Sequence, residues 1–498
     1  MTNKKMDNFM SSFTYEGLTF DDVSLLTAYA DFLPSETSVK TLFSRNIELN
    51  IPFISAAMDT VTESNMAIAI AQLGGIGVIH KSLSVEKQAN EVHKVKHYLN
   101  GLIKNPVSFH PEQTIKEMQA EKARRNYTFS GFPIVDDYNK LLGIITRRDI
   151  KFAAGTDLRL KDVMEKKLIT APVSTPLTEA FDLMIKNRIG KLPIIDSKGK
   201  LTGLYSLQDV RSVIENINPM YNRDSEHKLR VAAGIGPYDM ERAEALVNSG
   251  CDALVVDTAH GHSKGVIETV VQCKKSFTNI DIVAGNIGTE EGARALLKAG
   301  ADAVKVGIGP GSICTTRVVA GVGIPQITAV YNAAKGVDGS IPVIADGGIK
   351  QSGDIAKAIA AGASSVMMGS ILAGTQESPG EKIYHKGRTY VIYRGMGSLD
   401  AMKENMSSRE RYGVNDIANM DKLVPQGIEG MVLFRGSVSD VLGQHTGGLR
   451  YSLGYCGTKT IPELQTNAQF IRVTSAGLKE AHPHDIRITK DAPNYSIE

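Results

Sequence analysis

The sequence predicts an α/β fold: a (β/α)8 barrel of the TIM type, interrupted by a second unit. Three observations carry this. Eight short apolar runs alternate with helical stretches, three of the junctions share one grammar, and an internally repeated tract separates the second run from the third. Short continuous apolar strands between helices read as a parallel sheet covered on both faces, and eight of them as a closed barrel.

In chain order the runs are "IPFISAAM" (51–58), "GGIGVIH" (74–80), "VAAGIG" (231–236), "ALVVD" (253–257), "DIVAGNI" (281–287), "AVKVG" (303–307), "PVIADGG" (342–348) and "SVMMGS" (365–370). The shared grammar is clearest in "SGCDALVVDTAH" (249–260), "AGADAVKVGIG" (299–309) and "AGASSVMMGSI" (361–371). Each passes from a helix to a glycine, a small or acidic residue and then a strand, so Gly250, Gly300 and Gly362 are expected to end helices in the left-handed region. Barrel chemistry sits at the C-terminal strand ends. Here those ends carry Asp257, Asn286, Gly307, Asp346 and Gly369.

The tract between His80 and Arg230 repeats at an offset of 60: "GFPIVDDYNKLLGIITRRDI" (131–150) matches "KLPIIDSKGKLTGLYSLQDV" (191–210). Each half reads as two strands about a polar turn, then a helix starting near an aspartate, with a further helix upstream in "HPEQTIKEMQ" and "TPLTEAFDLM". The organisation expected is a discontinuous barrel domain, 1–92 and 216–498, around modules at 93–153 and 154–215. The paired modules resemble cystathionine-β-synthase (CBS) modules in the Bateman arrangement, a family that often binds purine nucleotides. "TRRD" (146–149) and "SLQD" (206–209) carry the likeness. A hydroxyl there meets a phosphate or caps a helix, and both readings stay open.

Composition narrows the rest. Net charge is +2 and hydrophobic content 42%, so nothing points to a membrane or to specific nucleic-acid binding. The four cysteines, Cys251, Cys273, Cys314 and Cys456, have no paired spacing, and the first residues lack the apolar run of a signal peptide. A reducing, cytoplasmic location is expected.

One cysteine stands apart. In "GIGPGSICTTRVVAGVGIPQ" (307–326), Cys314 closes a glycine-rich turn and is followed by Thr315 and Thr316. Glycines let backbone N–H groups face an anion, and such dipoles also favour a thiolate, the nucleophile of covalent catalysis. Further glycine loops at "DGGI" (346–349), Gly369-Ser370 and "YRGMGS" (393–398) point to a phosphorylated small molecule. The charged stretch "MSSRERYGVNDIANMDKLVPQGIEG" (406–430), within an expected flap at 400–430, is either a solvated excursion or a lid.

Together "AAMDTVTE" (56–63), "GPGSICTTR" (309–317), "ADGGI" (345–349), "YRGMGS", Arg411-Tyr412 and the paired modules resemble the inosine-5′-monophosphate (IMP) dehydrogenase family, from "LTFDDVSLL" (18–26) to "HPHDIRITKDAPNYS" (482–496). The cysteine loop is shared with guanosine-monophosphate (GMP) reductase, which the inserted modules and Arg411-Tyr412 disfavour. The resemblance implies NAD+-dependent oxidation of IMP to xanthosine 5′-monophosphate. Cys314 would be the nucleophile and Arg411 the base on water, with Tyr412 and Thr316 in support. It also implies phosphate contacts from Ser312, Gly348, Gly369, Ser370 and Tyr393, ribose contacts from Asp346, and further substrate contacts from Gly347, Arg394 and Gly395. Base contacts would come from Met396, Gly397 and Gln426, with Met58 and Asn286 lining the pocket. Asp257, Gly307, Ile308 and Gly309 would meet NAD+. A potassium ion would bind carbonyls of Gly309, Gly311 and Cys314, joined by Glu480, Ala481 and His482 of a neighbouring subunit. A homotetramer follows, with octamers formed through the modules and a purine nucleotide regulator bound there. Two residues depart from the family's habit: Gly413, where a bulky aromatic often follows Arg-Tyr, and Gln426, where glutamate is frequent. The rival of another class is a nucleotide sensor with a dead barrel, which would be expected to have lost Cys314, Thr316, Asp346 or Arg411.

Overall fold

The computed structural model describes residues 4–12, 16–98, 102–104, 106–124, 131–147, 149, 157–215, 218–404, 406–412, 423–490 and 492–495. Its chain divides into two compact units, Tyr98–Pro219 with 225–228, and the remainder.

In the larger unit the eight apolar runs are eight strands. They are β1 (Phe53–Ser55), β2 (Ile76–Ile79), β3 (Val231–Ile235), β4 (Ala253–Asp257), β5 (Asp281–Ile287), β6 (Ala303–Val306), β7 (Val343–Asp346) and β8 (Ser365–Met368). They pair in parallel in that order, and β8 returns to β1 to close the barrel. Nearly every strand residue is buried, as expected of strands covered by helices outside and side chains within. The helices preceding β4, β6 and β8 end at Gly250 (φ +87°), Gly300 (φ +97°) and Gly362 (φ +117°), the left-handed stops expected. Thr289 opens the helix Glu290–Lys298 by accepting the Gly292 N–H at 3.1 Å, a local start signal of the ordinary kind.

Two irregularities shape the barrel mouth. The register of β5 on β6 shifts between Gly285 and Ile287, which sets Asn286 off the ladder as a bulge. After β8 the chain leaves the barrel to form an antiparallel three-stranded sheet, Lys382–His385, Arg388–Arg394 and Glu429–Leu433.

The smaller unit repeats as expected, down to its defects. Hairpin Phe132–Val135/Leu141–Ile145 and hairpin Lys191–Ile195/Leu201–Ser206 share one pairing, Ile134 with Gly143 and Ile194 with Gly203. Each shifts register one residue later. In both turns the aspartate carboxylate accepts two backbone N–H groups, Asp136 from Tyr138 and Lys140, Asp196 from Lys198 and Lys200. The turns meet each other: Leu201 N–H donates to Asn139 O at 2.9 Å, and Leu141 N–H to Gly199 O at 3.1 Å. Each half has its own core, one around Phe132, Ile134 and Ile145, the other around Leu192, Ile194 and Tyr205. The first core includes Leu160, with Val163 and Met164 against it, so the chain crosses between halves later than residue 153. The helix Val85–Lys96 belongs with the barrel rather than with the modules, so a start at 93 is too early.

Candidate active site

The C-terminal ends of the barrel strands open on one cavity. It takes Asp257 from β4, Asn286 from β5, Lys305 from β6 and Asp346 from β7, and the cysteine loop forms one wall. Gly307 begins that loop at φ +155°, and a Cβ there would lie 2.2 Å from the Asp346 carbonyl, so only glycine lets the two strand ends approach. The Gln326 side-chain amide ties the same ends together by donating to Val306 O (2.9 Å) and Asp346 O (3.0 Å). Arg317 staples the loop to itself through the carbonyls of Ile308 (3.0 Å) and Ile324 (2.6 Å).

Cys314 is held by backbone on both sides. Its N–H donates to Gly311 O at 3.1 Å, the Thr315 N–H to Gln426 O at 3.1 Å, and the Ile428 N–H to Ile313 O at 3.0 Å. The Cys314 thiol lies 3.2 Å from the Thr316 hydroxyl. The segment around Gln426, more than a hundred residues downstream, therefore forms a short bridge with the loop, Cys314 opposite Gly427. Gln426 N–H in turn donates to Gly397 O at 2.9 Å, which joins "YRGMGS" to the same wall.

Arg411 ends the helix Met406–Arg411 inside the cavity. Its guanidinium is ion-paired with Asp257, and its carbonyl accepts the Ala259 N–H at 3.1 Å. Tyr412 packs on Gly397, where a Cβ would lie 2.5 Å from its ring. Burial pushes the Arg411 guanidinium below its usual range, and Tyr412 beside it works the other way. Burial likewise raises the phenols of Tyr412 and Tyr393, the latter further through the nearby Asp346 carboxylate.

Most of the residues expected from sequence converge here. Met58, Asp257, Asn286, Gly307, Ile308, Gly309, Gly311, Cys314, Thr316, Asp346, Gly347, Gly369, Tyr393, Gly395, Met396, Arg411, Tyr412 and Gln426 all line the cavity. Ser312 is exposed and lies outside the lining. A Cβ on Gly369 would lie 2.5 Å from the Tyr393 hydroxyl, so that hydroxyl faces the start of the helix Ser370–Ala373. Gly348 packs against Phe20 and Pro310 outside the lining.

Arg394 is turned away from the cavity. Successive strand residues face opposite sides, so Tyr393 pointing in sends Arg394 out, to Asp59 (2.8 Å) and Glu404 (2.7 Å). Glu480 and Ala481 end the helix Ser475–Ala481, with His482 next, and none of the three lines this cavity. Gly413 lies outside the described residues, as does the rest of 413–422 in the expected flap.

Sequence reasoning passed over Lys305. It is 1% exposed, and its ammonium lies 2.6 Å from Asp346 and 3.0 Å from Asp257, in contact with the Asn286 amide oxygen. The signal was present: one lysine in the otherwise apolar run "AVKVG", at a position where alternation points inward.

In the smaller unit, the Thr146 hydroxyl and N–H both donate to Asp149 at 2.8 Å, the capping arrangement. Ser206 begins its helix without a side-chain cap bond.

A family profile described as IMP dehydrogenase / GMP reductase domain matches residues 17–484. Among curated relatives, an inosine-5′-monophosphate dehydrogenase of Aquifex aeolicus is 51% identical over 97% of this chain and 98% of its own. One of Streptococcus pyogenes is 50% identical over 99% of this chain and 100% of its own. A solved structure of a cysteine-to-alanine variant of GMP reductase from Trypanosoma brucei, in complex with guanosine 5′-monophosphate, gives a TM-score of 0.77 at 38% identity. It covers 96% of this chain and 100% of that one. A GMP reductase thus matches nearly the whole of this chain, and the inserted modules do not by themselves separate the two activities. The barrel, the cysteine loop and the matched span establish that the chain belongs to the IMP dehydrogenase / GMP reductase family.

Proposed function

We propose that the chain oxidises inosine 5′-monophosphate to xanthosine 5′-monophosphate with NAD+ and water, the first committed step of guanine nucleotide synthesis. The observation that carries this is Arg411 ion-paired with Asp257 in the cavity that holds Cys314. It supplies a group for the hydrolytic half of the reaction beside the nucleophile. Relatives about half identical over nearly the whole chain bear the dehydrogenase name.

The Cys314 thiolate adds to the C2 carbon of the hypoxanthine ring, Thr316 lying 3.2 Å from its sulfur. NAD+, when bound, accepts the hydride that leaves C2. The ring then remains on Cys314 as a thioimidate. A water attacks the same carbon, its proton passes to Arg411 and out to solvent, and the C–S bond breaks to release product and thiolate. Atoms and charge balance as IMP, NAD+ and water giving xanthosine monophosphate, NADH and a proton. Arginine holds its proton tightly in water. Burial weakens that hold here, Tyr412 beside it works the other way, and the pairing with Asp257 keeps Arg411 in the cavity beside Cys314.

Asp257 thereby serves two partners in turn, the cofactor ribose and Arg411. With Arg411 docked the cavity measures about 140 Å³, well below the ~300 Å³ of small ligand sites, which supports successive rather than joint occupancy. Asp346 and Gly347 take the substrate ribose, and Ser312, Gly348, Gly369, Ser370 and Tyr393 take its phosphate. Met396, Gly397 and Gln426 meet the base. Potassium fits the donor chemistry of the loop, where neutral carbonyls suit a weakly hydrated ion and the Gly311 carbonyl, accepting one N–H, keeps a second lone pair. Gly309, Gly311 and Cys314 would hold it with Glu480, Ala481 and His482 of a neighbouring copy, in a cytoplasmic tetramer. The modules would place a purine nucleotide at Thr146 and Ser206. No helix among the described residues is long and apolar enough to cross a membrane.

The second reading, reductive deamination of GMP with NADPH, is favoured by the solved neighbour. One assay separates the two: NADH formation from IMP, NAD+ and potassium, abolished in Cys314→Ala. NADPH consumption with GMP, and no NADH from IMP, would replace the first reading with the second.

A further inference from the structure

Lys305 is fully buried in the barrel, and an ammonium out of water persists only with partners. Its partners come from three other strands. Asp346 on β7 lies at 2.6 Å, Asp257 on β4 at 3.0 Å, and the Asn286 amide oxygen on β5 is in contact. The same Asn286 donates its NH2 to Asp346 Oδ2 (2.9 Å) and to the Gly307 carbonyl (2.9 Å). Lys305 therefore fixes which way that amide faces. Arg411 takes the other oxygen of Asp257, Oδ2, so with Arg411 docked two carboxylates meet two cations. With Arg411 withdrawn, Lys305 is the cation the two carboxylates share.

We propose that Lys305 is a positioning residue that couples the two ribose acceptors of the site. One ammonium holds Asp346 on the substrate side and Asp257 on the cofactor side, so a ligand on either carboxylate changes how the ammonium is divided between them. This rests on the reading of those two aspartates given above. Asn286 follows the ammonium and carries its position to Gly307, at the start of the cysteine loop. Neither substrate nor cofactor need touch Lys305 for its loss to be felt at both.

The test is calorimetric binding without turnover, IMP alone and then NAD+ on IMP-saturated protein, in a Cys314→Ala background. Lys305→Met is expected to raise both dissociation constants about tenfold or more, the scale of one charge-assisted hydrogen bond. Lys305→Arg, which keeps the charge, is expected to recover part of both. Adding Asp346→Asn to Lys305→Met should cost IMP binding less than it does with Lys305 present, since the shared contact is already lost. A folded Lys305→Met protein that binds both ligands normally, or strictly additive losses, would overturn the coupling. If Lys305→Met does not fold, Asp257→Asn decides. It is expected to change IMP affinity although Asp257 lies on the cofactor side, and unchanged IMP affinity overturns the coupling. Parent protein that binds neither ligand would instead overturn the functional reading itself.

Discussion

Arg411→Ala separates the two halves of the reaction. The substitution removes the guanidinium paired with Asp257 while leaving Lys305 3.0 Å from that carboxylate, so Asp257 is not stranded and the barrel is expected to fold. The pair is well shielded, its side chains 16% and 4% exposed, which puts it among buried rather than surface ion pairs. Truncating one partner of a buried charge pair typically costs 2–5 kcal/mol, about 30- to 4000-fold in occupancy of the docked state, and the low end applies here because Lys305 still pairs with Asp257. Loss of a general base independently predicts about 10²- to 10⁴-fold in the proton-transfer step. Both estimates fall on hydrolysis, because addition of Cys314 and departure of the hydride need no group on Arg411. Rapid mixing of Arg411→Ala with IMP and NAD+ should therefore show one NADH per subunit at close to the parent rate, then turnover slowed by about 10²-fold or more. A missing burst, or steady-state turnover within about twofold of the parent, would refute Arg411 as the base.

Two further outcomes follow from the packing. Gly307→Ala places a Cβ 2.2 Å from the Asp346 carbonyl at φ +155°, and should destabilise the barrel by about 2–5 kcal/mol. The check is a lowered thermal midpoint, and an unchanged one would show that the β6 and β7 ends can part. His445 is held down to about 4 by burial and by Arg435, against 6.5 when free. Between those values the unfolded chain binds a proton that the folded one does not. Stability should therefore fall as pH drops from 6.5 towards 4, by up to about 3 kcal/mol. In His445→Gln the thermal midpoint should lose that part of its pH dependence.

Several features of the fold are local, and local features can be read from a sequence. The eight apolar runs are the eight strands because each is a continuous β-branched or small-residue segment between helices. Gly250, Gly300 and Gly362 end helices because only glycine takes their positive φ without strain. The repeat at offset 60 reappears as two hairpins with the same pairing, since identical turn chemistry at Asp136 and Asp196 sets identical registers. The cysteine loop was legible for the same reason, its glycines, hydroxyls and thiol lying within a dozen residues.

Arg394 shows where that legibility ends. It adjoins Tyr393 in a glycine-rich motif, yet the pleat sends one side chain into the cavity and the other to Asp59 and Glu404. The docking of Arg411 on Asp257 joins residues about 150 positions apart, and no spacing rule announces it. Lys305 is the sharpest case. A lysine in an apolar strand is unfavourable on local grounds, and it becomes tolerable only when barrel closure brings Asp257, Asn286 and Asp346 around it. The sequence by itself determined the elements, their order and the loops that carry the chemistry, because helix stops, strand runs and turns depend on neighbours along the chain. Only the tertiary structure decided which charges share one cavity and which face away, because burial and ion pairing depend on neighbours in space.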